Sequence, residues 1–142
     1  MKDPFNLKRF LEAQSDGYVI ALNEIKSGQK CSPWMWYIFP QFACLGRSST
    51  TVYYAIKSTE EARAYLDHHI LGSRLMEITK VFLELENKSA REILGSPDDL
   101  KMKSSMTLFN LIQGERSLFD AVLNKYYGNR RCQKTKLVFT GN

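Results

Sequence analysis

Asp98 and Asp99 stand directly after Ser96-Pro97, a helix-start signal, so both carboxylates fall in the first turn of a helix. Free backbone N–H groups and the positive end of the helix dipole stabilise negative charge there, and capping alone accounts for the pair. The chemical reading has Asp98 hold a ribose hydroxyl or activate a water as a general base, work that needs a pocket and a shifted pKa. Lys101 and Lys103 follow at the spacing for ion pairs with them along one helix. Arg47 lies in Gly46-Arg47-Ser48-Ser49, a loop that suits a small anion nest with the guanidinium as a forked donor to phosphate or carboxylate. Trp36, Tyr37 and Gln41 form a third set: flat faces on which a base can stack, and polar tips that need partners.

Other chemistries have less support. Ser104 shares a helical stripe with Leu100, Leu108 and Leu111, where its hydroxyl bonds back to the carbonyl one turn earlier rather than serving as a nucleophile. His68 and His69 are adjacent, stand in no elbow or triad motif, and lack metal-ligand spacing. The three cysteines, Cys31, Cys44 and Cys132, form no CxxC pair. The simplest reading is a reduced, cytoplasmic protein with no metal and no cofactor. The net charge of +5 arises from 20 basic and 15 acidic residues, mostly interspersed. Arg130, Arg131, Lys134 and Lys136 make the single dense basic cluster, which reads as a solvated, partly frayed tail, with Leu137, Val138 and Phe139 available to dock it. Nucleic acid is not the expected partner, and no apolar run is long enough to span a membrane.

The segment 31–41 holds both tryptophans of the chain between two prolines. Ser32-Pro33 reads as a cap and first helical position, and Pro40 pushes Phe39 out of the helical region, so at most two turns fit. Apolar groups occupy every face of the segment, which predicts burial all round and a core nucleus. Ahead of it, Asp3-Pro4 starts a helix through about Ala13, the Ser15-Asp16-Gly17 run reads as a break, and Val19 to Ile25 form a second helix ended by Gly28. Residues 50–56 are β-prone yet lack a partner strand, and are read as a short helix. Capping boxes at Ser58/Glu61 and Ser89/Glu92 open further helices. A long apolar run from Ile70 to Leu85, the helix after Pro97, and one from Leu118 to Gly128 complete the pattern.

Three blocks carry a resemblance to a known family. They are Ser32-Pro33-Trp34-Met35-Trp36-Tyr37-Ile38-Phe39-Pro40-Gln41 with Gly46-Arg47-Ser48, Tyr54-Ala55-Ile56 to Leu71-Gly72-Ser73-Arg74-Leu75, and Gly95-Ser96-Pro97-Asp98-Asp99-Leu100-Lys101 to Phe109. Together with Asp3-Pro4-Phe5 through Gln14 they resemble the domain of unknown function 1810 family over nearly the whole chain. The resemblance implies an all-helical single domain and supplies no reaction. Pro33 and His69 stand where the family usually has histidine and proline. The order of features also resembles, more loosely, the NADAR superfamily, whose members are linked to NAD and ADP-ribose chemistry. That likeness is the reason to single out Glu12, otherwise a surface charge at the end of the first helix.

The expected architecture is therefore all-α: one compact domain over residues 1–142, with roughly six to eight helices around the central buried aromatic segment. The leading functional expectation is a pocket for a nucleotide-like small molecule of the ADP-ribose or NAD type. Trp36 and Tyr37 stack a base, Gln41 lines the pocket, Arg47 meets phosphate, and Asp98 or Glu12 handles ribose or water. The alternative is a non-enzymatic interaction module in which the aromatic blocks are core and a protein or nucleic acid docks outside.

Overall fold

The computed structural model describes residues 3–43, 48–114 and 117–141, without the side chains of 138–141. Among them are nine helices: α1 (Lys8–Lys26), α2 (Met35–Ile38), α3 (Ser49–Tyr54), α4 (Thr59–Asp67), α5 (Leu71–Glu84), α6 (Ala90–Leu94), α7 (Asp98–Gln113), α8 (Leu118–Tyr127) and α9 (Gln133–Gly141). The all-α expectation holds. The β-prone run forms α3, with one isolated backbone bridge between Phe42 and Ile56 beside it. No helix among the described residues is long and apolar enough to cross a membrane.

The hub is α7, which packs against α2, α4, α6, α8 and α9. Met102 and every residue from Ser104 to Asn110 are buried, so the middle of this helix is enclosed on all sides. Its polar residues do not stand in the way because several are satisfied locally. Ser104 Oγ donates to the Leu100 carbonyl at 3.2 Å, as its spacing predicted, and Thr107 Oγ1 donates to the Lys103 carbonyl at 2.7 Å. Asn110 Oδ1 accepts from Ser117 Oγ at 2.8 Å. A second layer is α5, which packs on α1, α4 and α8 through Leu71, Leu75, Ile78 and Phe82.

Two local expectations are corrected. The first two predicted helices are one continuous α1, and Gly17 lies inside it. The residue is glycine because the Tyr37 ring fills the space a side chain would take. α1 begins only at Lys8, so Pro4 is not its first residue; Asp3 stands ahead of the helix and accepts from the N–H groups of Leu7 and Lys8 at 2.8 and 2.9 Å. The central segment is not buried all round: Trp34, Met35, Ile38 and Phe39 are 1% exposed, whereas Trp36 and Tyr37 are only partly covered. Its helix is a single turn starting after Trp34, and Ser32, instead of capping it, gives its hydroxyl to the Glu24 carboxylate at 2.5 Å.

The basic tail is also ordered differently from a frayed end. Residues 133–141 are helical and packed on α7, Thr135 is fully buried, and Arg131 pairs with Asp120 of α8. Leu137 does not dock inward; it is 70% exposed.

A buried ion pair ties the N-terminal helix to the rest. Arg9 and Glu61 are each 3% exposed and meet at 2.6 Å. All five guanidinium N–H groups are used. Nε donates to the Tyr53 carbonyl, Nη1 to those of Phe5 and Asn6, and Nη2 to that of Ala55 and to the Glu61 carboxylate. The spacing from Ser58 predicts Glu61 as the returning half of a capping box. Ser58 does cap α4, but the Glu61 carboxylate accepts from Lys57 N–H and Arg9. The box at Ser89 and Glu92 is complete.

Candidate functional site

Where α2 meets α3, the side chains left partly uncovered by the core turn towards each other. Trp36 and Tyr37 of the one-turn helix are partly covered where Trp34 and Phe39 beside them are buried, and α3 brings Tyr53 and Tyr54 to the same groove. With Pro33, Ser49 and Thr50 they enclose an open groove of about 500 Å³. The rings of Tyr37 and Tyr54 lie 5.6 Å apart, and those of Tyr53 and Tyr54 4.8 Å apart, edge to face.

The wall is fixed from behind. Trp36 Nε1 donates to Thr51 Oγ1 at 3.1 Å, and that hydroxyl lies 2.7 Å from Ser48 Oγ, the N-cap of α3. Tyr37 is held by its backbone carbonyl, which accepts from the buried Gln14 amide at 2.7 Å. Burial raises the Tyr37 hydroxyl above its ordinary pKa, with Tyr54 and Glu24 adding to the effect. Burial raises Tyr54 as well, reinforced by Tyr53 and Glu12 and opposed by Arg9. Both hydroxyls are therefore protonated donors at neutral pH.

Behind Trp36 runs a chain of alternating charges and rings. The Lys101 ammonium sits 4.6 Å from the centre of the Trp36 ring. Asp98 holds it at 3.4 Å through Oδ1 and holds Lys30 at 2.7 Å through Oδ2. Lys30 in turn lies 5.1 Å from the Trp34 ring, whose Nε1 donates to Glu24 at 2.9 Å. Burial acts to raise the Glu24 carboxyl. Donation from the Ser32 hydroxyl, Cys31 N–H, Trp34 Nε1 and Ser32 N–H more than offsets it and holds the pKa at about 2.

The sequence-derived candidates are thus distributed unevenly. Trp36 and Tyr37 line one groove together. Asp98 stands one ion pair behind it, with both carboxylate oxygens engaged. Glu12 is 64% exposed, 4.0 Å from Lys8, and reaches the groove only through its field on Tyr54. Gln41 is 9% exposed, is not part of the lining, and its backbone carbonyl accepts from Ile56 N–H at 2.9 Å. Arg47 lies outside the described residues. Tyr53, Tyr54 and Lys101 are the additions. In sequence the tyrosine pair carries only a backbone preference, and Lys101 only the spacing of an ion pair with Asp98 or Asp99.

His68 and His69 have structural work elsewhere. His68 Nδ1 accepts from Ile70 and Leu71 N–H at 3.1 and 3.2 Å, capping α5, and the two imidazoles stack at 5.1 Å. No group of three metal-ligating side chains occurs among the described residues.

The profile of the family described as "Protein of unknown function (DUF1810)" matches residues 4–139. This chain belongs to that family. Its fold is similar to the crystal structure of the conserved hypothetical protein Rv1873 from Mycobacterium tuberculosis, with a TM-score of 0.95 and 45% sequence identity. The match covers 97% of this chain and 99% of that one. No curated protein matches the sequence.

Proposed function

We propose that this DUF1810 protein binds a nucleotide-like small molecule of the ADP-ribose or NAD type in the groove between α2 and α3. The observation that supports it is the four-ring lining of Trp36, Tyr37, Tyr53 and Tyr54 around about 500 Å³, a volume within the range of ligand sites. Stacking on aromatic faces tolerates any base and is worth about 1–3 kcal/mol per base. Lys101, steadied against Trp36 by Asp98, adds a positive charge behind that ring without lining the groove, and Tyr54 offers a neutral hydroxyl donor. In this reading Asp98 is a positioning residue for Lys101, and Arg47, two residues before Ser49 in the chain, is the second phosphate-meeting cation.

Titration with ADP-ribose or NAD, followed by tryptophan fluorescence, tests the reading. Trp36 is the partly exposed reporter, and saturable quenching that weakens about tenfold or more in Lys101→Met is the expected result. No quenching at about millimolar ligand, with no rise in melting temperature, would refute it.

A second reading has its own observation. Val52 and Tyr53 are 52% and 51% exposed beside the groove, so the same surface suits a non-enzymatic contact with another protein. Loss of ligand quenching together with retention of such a contact would favour it.

A further inference from the structure

Asp98 and Asp99 are neighbours in sequence and turn to different surroundings. Asp98 faces Lys30 and Lys101, whereas Asp99 lines a separate groove bounded by α6, the first turns of α7 and the end of α8. The Tyr127 hydroxyl fixes that corner by donating to the Asp99 backbone carbonyl at 2.6 Å. The groove measures about 400 Å³, and its walls carry Arg91, Lys103 and Arg130. Among the described residues, none of these three cationic groups takes part in an ion pair or side-chain hydrogen bond. Asp99 Oδ1 is buried and accepts no hydrogen bond.

Those two facts point the same way. Three cations and one carboxylate leave two unneutralised positive charges around a small concavity, and like charges brought together without a counter-ion favour an anion. The other Asp99 oxygen, Oδ2, is neither buried nor hydrogen-bonded, so the carboxylate keeps one free acceptor for whatever fills the groove. The tyrosine hydroxyls cannot serve, because Tyr126 donates to the Phe82 carbonyl and Tyr127 to that of Asp99, so both rings act as walls. Leu100, 57% exposed, adds an apolar edge.

We propose that this second groove binds a small sugar phosphate. Its dianionic phosphate sits among Arg91, Lys103 and Arg130, with the guanidinium forks giving paired donors, and a ring hydroxyl donates to the accessible oxygen of Asp99, Oδ2. The volume lies at the low end of ligand pockets, which fits a monosaccharide phosphate better than a dinucleotide. The site is independent of the aromatic groove, and it gives Arg130 of the basic cluster a specific task.

The test is an amide NMR titration of the full chain with glucose 6-phosphate, inorganic phosphate and glucose. Glucose 6-phosphate is expected to give saturable shifts at Lys103, Tyr127 and Gly128, about tenfold or more tighter than inorganic phosphate, with none from glucose. Replacing the three cations together, Arg91→Gln, Lys103→Gln and Arg130→Gln, leaves the remaining spectrum in place and weakens binding at least about tenfold. Asp99→Asn brings the sugar phosphate down to the affinity of inorganic phosphate. Three results would each overturn the proposal: no saturable shift at about 10 mM glucose 6-phosphate, unchanged binding in the triple variant, or inorganic phosphate binding as tightly as the sugar phosphate.

Discussion

The hydroxyl of Tyr37 lies 2.6 Å from where a Cβ on Gly17 would stand, and its Cε1 lies 2.7 Å from the same point. A glycine in the middle of α1 is thus the complement of a ring on α2, and the position of one groove wall depends on the absence of a methyl group in a different helix. Gly17→Ala therefore tests the groove from behind. Helix propensity favours alanine by up to about 1 kcal/mol, while the contact opposes it, so the net stability change is within about 1 kcal/mol. The Tyr37 ring must move because its backbone is anchored by Gln14. Tyrosine ring resonances should shift, and quenching by ADP-ribose should weaken about tenfold, with the helical circular dichroism unchanged.

The two tryptophans make a matched pair two residues apart. Trp34 is 1% exposed and bonded to Glu24, so Trp34→Ala should cost about 3–5 kcal/mol in denaturant melts. Trp36 borders the groove and should cost about 1 kcal/mol on the same change. Equal losses would contradict the division between core and wall.

Arg9 gives the largest electrostatic prediction. Removing one partner leaves the other charge buried, so Arg9→Met should destabilise by about 3–5 kcal/mol. The double change Arg9→Met with Glu61→Leu should lose less than the two single changes added, as a double-mutant cycle measures.

Acid should weaken the fold in two windows. The folded His68 has a lowered pKa, mainly because burial disfavours its charge, with His69 adding and Asp3 opposing. Below the ordinary value of 6.5 the unfolded chain binds the extra proton first, so stability falls as pH drops through that range, and Nδ1 protonation forfeits the α5 cap. Glu24 acts the same way lower down: its contribution is complete above 4.5 and is lost as pH falls towards about 2. Melting temperatures across this range should decline in two steps. His68→Gln should flatten the upper step and Glu24→Gln the lower.

Much of the helical frame was legible because its ends are written in local chemistry. Ser58, Ser89 with Glu92, and Gly128 each do what their residue type predicts. What could not be read depends on distant partners. Gly17 reads as a break until Tyr37 is placed against it. The centrality of α7 is hidden because Ser105, Thr107 and Asn110 look like solvated positions, although all are buried. The groove was half visible: Trp36 and Tyr37 were singled out, but periodicity gave no means of separating them from Trp34, and Tyr53 and Tyr54 were weighed only as strand formers.

The use of all five Arg9 donors bears on how the molecule opens. A guanidinium cannot shed its charge, so any partial loosening of residues 53–61 would strand a full positive charge in a closed interior. The start of α1 and the α3–α4 corner are therefore released together or not at all. In amide hydrogen exchange they should behave as one unit, with Glu61 and Phe10 sharing a common opening free energy despite the fifty-odd residues of chain between them.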